Sequence, residues 1–178
     1  MQKIRENLNF QTYFGIGFVL VLGTLSHFFF DWSGENRLVG IFAAVNESTW
    51  EHLKLLFSPA LLFWVLEWIF GKKKPNLLWS VFWGLFAGTA TIVVLFYTYS
   101  GVLGKNFAPI DILTFVVGVL VAFFVKLYAQ SGTPTARKRL AGGILLAVLL
   151  LCYLLFTAFP PHIGLFLDPV TGTYGFPV

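Results

Sequence analysis

Asn46-Glu47-Ser48-Thr49-Trp50-Glu51-His52-Leu53-Lys54 runs straight into Leu55-Leu56-Phe57-Ser58-Pro59-Ala60-Leu61-Leu62-Phe63-Trp64-Val65-Leu66-Glu67-Trp68-Ile69-Phe70. Two acids, a histidine and a lysine thus stand at the head of a stretch that is otherwise apolar. The apolar part alone, about 16 residues, is slightly short for a bilayer crossing, which takes ~20 residues of helix. A helix begun at Ser48 has about 23 residues and a length of ~34 Å. The charged head then lies just within the outer boundary of a membrane, where charge is costly and needs a reason.

The rest of the chain supports a membrane reading. Of 178 residues, 57% are hydrophobic and only 11% charged, and Phe occurs 21 times. Soluble domains carry roughly 25% charged residues. Mean hydropathy is +0.80. The expected fold is an all-α membrane protein, a five-transmembrane-helix bundle with spans at about 12–30, 53–70, 77–99, 112–129 and 140–159, and an outer tail over 160–178. That arrangement is a single integral membrane domain with no room for a separate soluble one. Leu38-Val39-Gly40-Ile41-Phe42-Ala43-Ala44-Val45 is apolar but far too short to span, so a re-entrant or interfacial element is expected between the first two spans. Pro59 should kink the second helix and free a carbonyl near Leu55. No internal repeat suggests an inverted-repeat transporter, and no cleavable signal peptide is evident.

Placement of charge orients the bundle. Lys3, Arg5, Lys72, Lys73, Lys74, Arg137, Lys138 and Arg139 fall on one side if the spans alternate, against Arg37, Lys54 and Lys105 on the other. Basic loops stay in the cytoplasm, which puts the N terminus inside and the C terminus outside. Most acids (Asp31, Glu35, Glu47, Glu51, Asp111, Asp168) and all three histidines (His27, His52, His162) are then outer, while Glu6 and Glu67 are not. The inner face reads as an anchor meeting anionic membrane lipid. Basic residues in short clusters between apolar spans exclude nucleic acid as a partner. Cys152, alone in an apolar run, reads as a small packing residue.

Each polar motif carries a plain structural reading beside a chemical one. Ser48-Thr49-Trp50-Glu51 has the form of a capping box, with Asn46 as an alternative cap. Capping accounts for Ser48 and Glu51 and leaves Glu47, His52 and Lys54 unexplained. On a helix, Ser48 and His52 are i,i+4 neighbours, as are Glu47 and Glu51, and Glu51 can pair with Lys54 at i,i+3. Lys54 can also snorkel outward. His27 and Asp31 form another i,i+4 pair, in which the acid can orient the imidazole; the plain alternative is a headgroup-level histidine beside an aromatic belt. His162 and Asp168 lie in a Phe- and Leu-rich tail that should fold back over the outer mouth, with turns at Asp168-Pro169 and Thr171-Gly172.

Histidines and carboxylates gathered on one side suit zinc or another divalent metal. His27, His52, His162 and Asp168 are the candidate ligands, although no HExxH spacing is present. Glu47, Glu51 and His52 are the candidate catalytic acid/base groups. Asn46, Ser48, Lys54 and Asp31 are the candidate substrate contacts, and Tyr97, Tyr99, Asn106 and Asp111 border the same side.

The Asn46-Glu47-Ser48-x-Trp50-Glu51-His52-x-Lys54 motif resembles that of an uncharacterised family of small bacterial multi-pass membrane proteins. The resemblance extends to His27 late in the first span and to the tail elements Phe166-x-Asp168-Pro169 and Tyr174-Gly175. It covers nearly the whole chain and implies no activity. A more distant chemical analogy is with membrane hydrolases such as alkaline ceramidases, which hold zinc with histidines; this chain has fewer spans than they do and lacks a His-x-x-x-His. Three functions follow as expectations. One is an outer-leaflet hydrolase or transferase, metal-assisted, on a lipid or lipid-linked substrate. The second is a non-enzymatic protein that binds or transports a metal ion or small solute in the cell membrane. The third is a structural or accessory subunit.

Overall fold

A computed structural model describes residues 10–71, 74 and 76–176. The described chain is helical: α1 (Phe10–Ser26), α2 (Phe29–Trp32), α3 (Arg37–Gly40), α4 (Thr49–Phe70), α5 (Leu77–Leu103), α6 (Ala108–Gln130) and α7 (Ala136–Ala158). Among the described residues there is no β-strand, only an isolated antiparallel bridge between Leu167 and Tyr174. Helices α4, α5, α6 and α7 are each long and apolar enough to cross a membrane. Their outward faces carry large apolar side chains such as Leu62, Val94, Ile112, Phe124 and Leu151, as a protein solvated by lipid requires. Helix α1 is apolar but has 17 residues, roughly 26 Å of helix against a hydrocarbon core of ~30 Å. Lys3, Arg5, Glu6, Lys72 and Lys73, used above to orient the bundle, lie outside the described residues.

The first expected span, 12–30, is broken in the structure. Ser26 Oγ donates to the Gly23 carbonyl and the Phe28 amide to the Leu25 carbonyl, so the chain turns at His27 before the single turn of α2. Residues after α3 form turns rather than a helical re-entry. Ala43, Ala44 and Val45 are buried, while Leu38 and Phe42 remain exposed. Phe30, Ala43 and Val45 form a small cluster with Phe176 from the tail. Helix α4 begins where the cap reading placed it: Ser48 is its N-cap, accepting from the Glu51 amide at 3.4 Å.

Close backbone approaches set the bundle. A Cβ on Gly88 of α5 would stand 2.9 Å from the Gly118 carbonyl oxygen of α6, and one on Gly118 3.0 Å from that of Gly88. Small residues at such crossings let helices pack in lipid. Pro59 removes the N–H that the Leu55 carbonyl would accept in a regular helix. That carbonyl lies against Gly23 of α1, where any side chain would collide with it. The core runs through Val19, Leu56, Ala60, Leu85, Val119 and Ala122, all fully buried.

Candidate functional site

The charged head of α4 divides into an inward and an outward half. Glu51 and Lys54 point in and are 2% and 1% exposed. Lys54 Nζ donates to Glu51 Oε2 at 2.6 Å, to the Gly40 carbonyl at 2.7 Å and to the Ala43 carbonyl at 3.2 Å. Those bonds use all three ammonium protons. Glu51 Oε2 also accepts from the Val45 amide, and Oε1 accepts from Thr157 Oγ1 of α7 at 3.2 Å. The pair therefore ties the α3 turn, α4 and α7 together. Lys54 does not snorkel outward, and with its protons used it has none left for a substrate. Both Glu51 oxygens accept hydrogen bonds within this buried network.

The expected capping box is half formed. Ser48 caps the helix, but Glu51 reaches Val45 rather than the Ser48 amide. That amide donates instead to Asn46 Oδ1 at 2.9 Å, and Asn46 Nδ2 donates to the Gly175 carbonyl at 2.7 Å. Ser48 and Asn46 are thereby occupied in holding the helix start and the tail. Trp50 completes the inner half. Its ring stacks on Tyr153 with centroids 4.6 Å apart and meets Phe166 of the tail at 4.9 Å.

Glu47 precedes the helix, so the i,i+4 relation to Glu51 does not hold. It turns outward toward two histidines. His52 Nε2 lies 3.4 Å from Glu47 Oε2, and His27 Nε2 lies 3.8 Å from Glu47 Oε1. The imidazole centroids are 5.1 Å apart. One ligand atom from each of the three residues falls within 4.8 Å of the others. His52 Nδ1 contacts the Ser48 carbonyl at 2.9 Å. A bond there puts the proton on Nδ1 and leaves Nε2 free to accept, the usual arrangement of a metal-binding imidazole. His27 differs: its Nδ1 is buried without a hydrogen bond among the described residues.

The trio offers the ligand types that a divalent transition metal takes. Two imidazoles and a carboxylate are a catalytic zinc donor set that keeps one position open. Ligand atoms ~2.0–2.1 Å from a tetrahedral ion stand about 3.3 Å apart, and the three here fall within 4.8 Å of one another. Beside the trio lies a cavity of about 580 Å³ lined by Glu47, His52, Tyr97, Asn106 and Asp111. Across it, the Asp111 carboxylate accepts from the Tyr99 hydroxyl and from Asn106 Nδ2. Tyr97 OH lies 3.4 Å from Thr49 Oγ1 and 3.3 Å from the Gly164 carbonyl.

A family model matches residues 1–176. The chain belongs to DUF6512, a family of unknown function. No curated protein and no solved structure matches it.

In this DUF6512 chain the remaining expected ligands stand apart from the trio. The exposed His162 ring stacks on Tyr174, with centroids 4.4 Å apart. Asp168 is buried and accepts from the Val170 amide and Thr171 Oγ1, which makes it the organiser of the tail turn. Asp31 is exposed on α2, and the carboxylate beside His27 is Glu47. Sequence reasoning placed Glu47 among the acid/base groups rather than the ligands. It also missed Thr157, whose only signal is a hydroxyl in the last turn of an apolar helix.

Proposed function

We propose that the chain is a five-crossing cell-membrane protein, N terminus cytoplasmic and C terminus outside, that holds a divalent transition metal between His27, Glu47 and His52 at the outer leaflet. There it catalyses metal-assisted hydrolysis or group transfer on a lipid or lipid-linked substrate. The observation that carries the reading is the convergence of three ligand atoms, from the end of α1 and the start of α4, beside the polar cavity. The connection between those helices is then an interfacial element, in keeping with its outward Leu38 and Phe42 and its buried Ala43 to Val45.

A bound zinc-like ion supplies Lewis acidity and a water of lowered pKa. The protein's own groups do the rest. His52 is held by the Ser48 carbonyl. Asp111, held by Tyr99 and Asn106, is a carboxylate able to hold or pass a proton. The apolar cavity wall of Leu55, Ile92, Phe96 and Phe115 suits an acyl or prenyl chain. Transport is the weaker reading. At the opposite end of the bundle Glu67 Oε2 accepts from Lys126 Nζ at 2.6 Å, so the ion pair there is internally satisfied.

Elemental analysis of the purified protein tests the metal, with His27→Ala, His52→Ala and Glu47→Gln beside wild type. The expected result is close to one equivalent of a transition metal in wild type and at least a tenfold loss of affinity in each variant, with folded yield intact. A wild type that takes up no metal after repletion, or equal loss in His162→Ala, would overturn the site. Turnover of a lipid panel that ignores both chelation and Glu47→Gln would overturn the chemistry.

A further inference from the structure

Helices α4 and α7 touch at one end and part at the other. Near the site, Phe57 and Trp50 of α4 stack on Tyr153 of α7, with centroids 3.8 and 4.6 Å away. Toward the far end each packs on α5 instead. Trp64 of α4 lies over Gly84, where a Cβ would be 3.0 Å from its Cη2, and a Cβ on Gly142 of α7 would be 2.6 Å from Trp79 Cα. Between the parted ends lies a cavity of about 750 Å³. Leu61, Trp64, Trp68, Leu78, Val81 and Leu146 form apolar walls, and Lys74, Asn76, Thr135 and Arg139 stand at the end where α5 and α7 begin.

The polar rim is short of negative charge. Glu67 is shared by Lys74 and Lys126, so that group is net positive. Asn76 is occupied by the Gly132 carbonyl, and Thr135 caps α7 by accepting from the Lys138 amide. The exposed Arg139 guanidinium has no partner among the described residues. It sits one turn into α7, whose N-terminal dipole also favours an anion. The walls from Leu61 to Trp68 and from Arg139 to Leu146 each cover roughly 10 Å of helix, about a third of the ~30 Å hydrocarbon core. That depth takes the headgroup-proximal part of one acyl chain and not a whole lipid.

We propose that this slot is a binding site for one anionic glycerophospholipid, its phosphate at Arg139 and Lys74 and an acyl chain between α4 and α7. An arginine fork suits a phosphate oxygen pair. A zwitterionic headgroup finds no partner for its cation, because the two lysines already hold Glu67. The site is separate from the metal trio and does not depend on the function proposed there.

Native mass spectrometry of the full chain, exchanged between phosphatidylglycerol and phosphatidylcholine, tests this. One phosphatidylglycerol should stay bound, preferred over phosphatidylcholine by roughly fivefold or more, the weight one surface cation carries for an anionic lipid. Arg139→Gln should erase most of that preference. Arg137→Gln, which changes a residue outside the cavity lining, should leave it intact. Val65 also lines the cavity, and Val65→Trp, which fills the slot, should lower retention of both lipids. Equal retention of the two lipids by wild type would overturn the proposal, as would equal effects of Arg139→Gln and Arg137→Gln, which mark general surface charge. If Val65→Trp misfolds, the two arginine variants decide the matter alone.

Discussion

Glu47 and Glu51 sit four positions apart and do opposite things. Glu51 is sealed against Lys54, Val45 and Thr157, whereas Glu47 faces two imidazoles at the surface. Removing one partner of a buried pair strands the other charge. Lys54→Met should therefore cost about 3–5 kcal/mol, read as a lower midpoint in detergent unfolding. Adding Glu51→Gln to it should cost less than the sum of the single changes. In metal-free protein Glu47→Gln should leave that midpoint nearly unchanged, because Glu47 stands at the surface outside the buried network. The two acids look alike in the sequence, because spacing rules treat both as helical. What separates them is the N-cap at Ser48, which leaves Glu47 outside the helix. The capping pattern was legible; its consequence for Glu47 needed the backbone.

At the scale of elements, the long apolar runs of α4 to α7 could be read from hydropathy, because nothing else satisfies backbone polar groups in lipid. The end of α1 could not. Phe28, Phe29 and Phe30 continue the apolar run, yet the chain turns at His27, and that turn brings the imidazole to Glu47. The tail was legible as packed rather than free, from its leucines and phenylalanines, but its register was not. It docks through the Trp50 amide, which donates to the Leu165 carbonyl, and through Asn46 to Gly175. Asn46→Ala removes both the tie to Gly175 and the acceptor for the Ser48 amide. A loss of about 1–2 kcal/mol is expected, with faster proteolytic clipping within residues 160–176 while α4 to α7 stay protected. Unchanged tail clipping would mean that Trp50 and Phe166 alone hold the tail.

For the whole molecule, the trio joins α1 to the start of α4. A metal that binds only the folded chain stabilises it by mass action, about 2.7 kcal/mol at a hundredfold excess over Kd. Zinc should therefore raise the unfolding midpoint of wild type and leave those of His27→Ala and His52→Ala unmoved. An equal rise in all three would place the ion elsewhere. The two proposed sites, the His27-Glu47-His52 trio at one end of the bundle and the cationic slot at the other, follow from where charge stands in the chain. The slot itself was not legible, since it arises from how α4 and α7 diverge on α5.

The bond from Asn46 to Gly175 spans 129 positions, which has a meaning for biogenesis. At 5–20 residues per second, a ribosome needs roughly 6–26 s to make that much chain. Through most of that interval Glu51 and Lys54 sit at the head of a newly inserted helix with Thr157, 106 positions on from Glu51, still unmade. The ties of Asn46 to Gly175 and of Glu51 to Thr157 are thus among the final contacts of the protein to form.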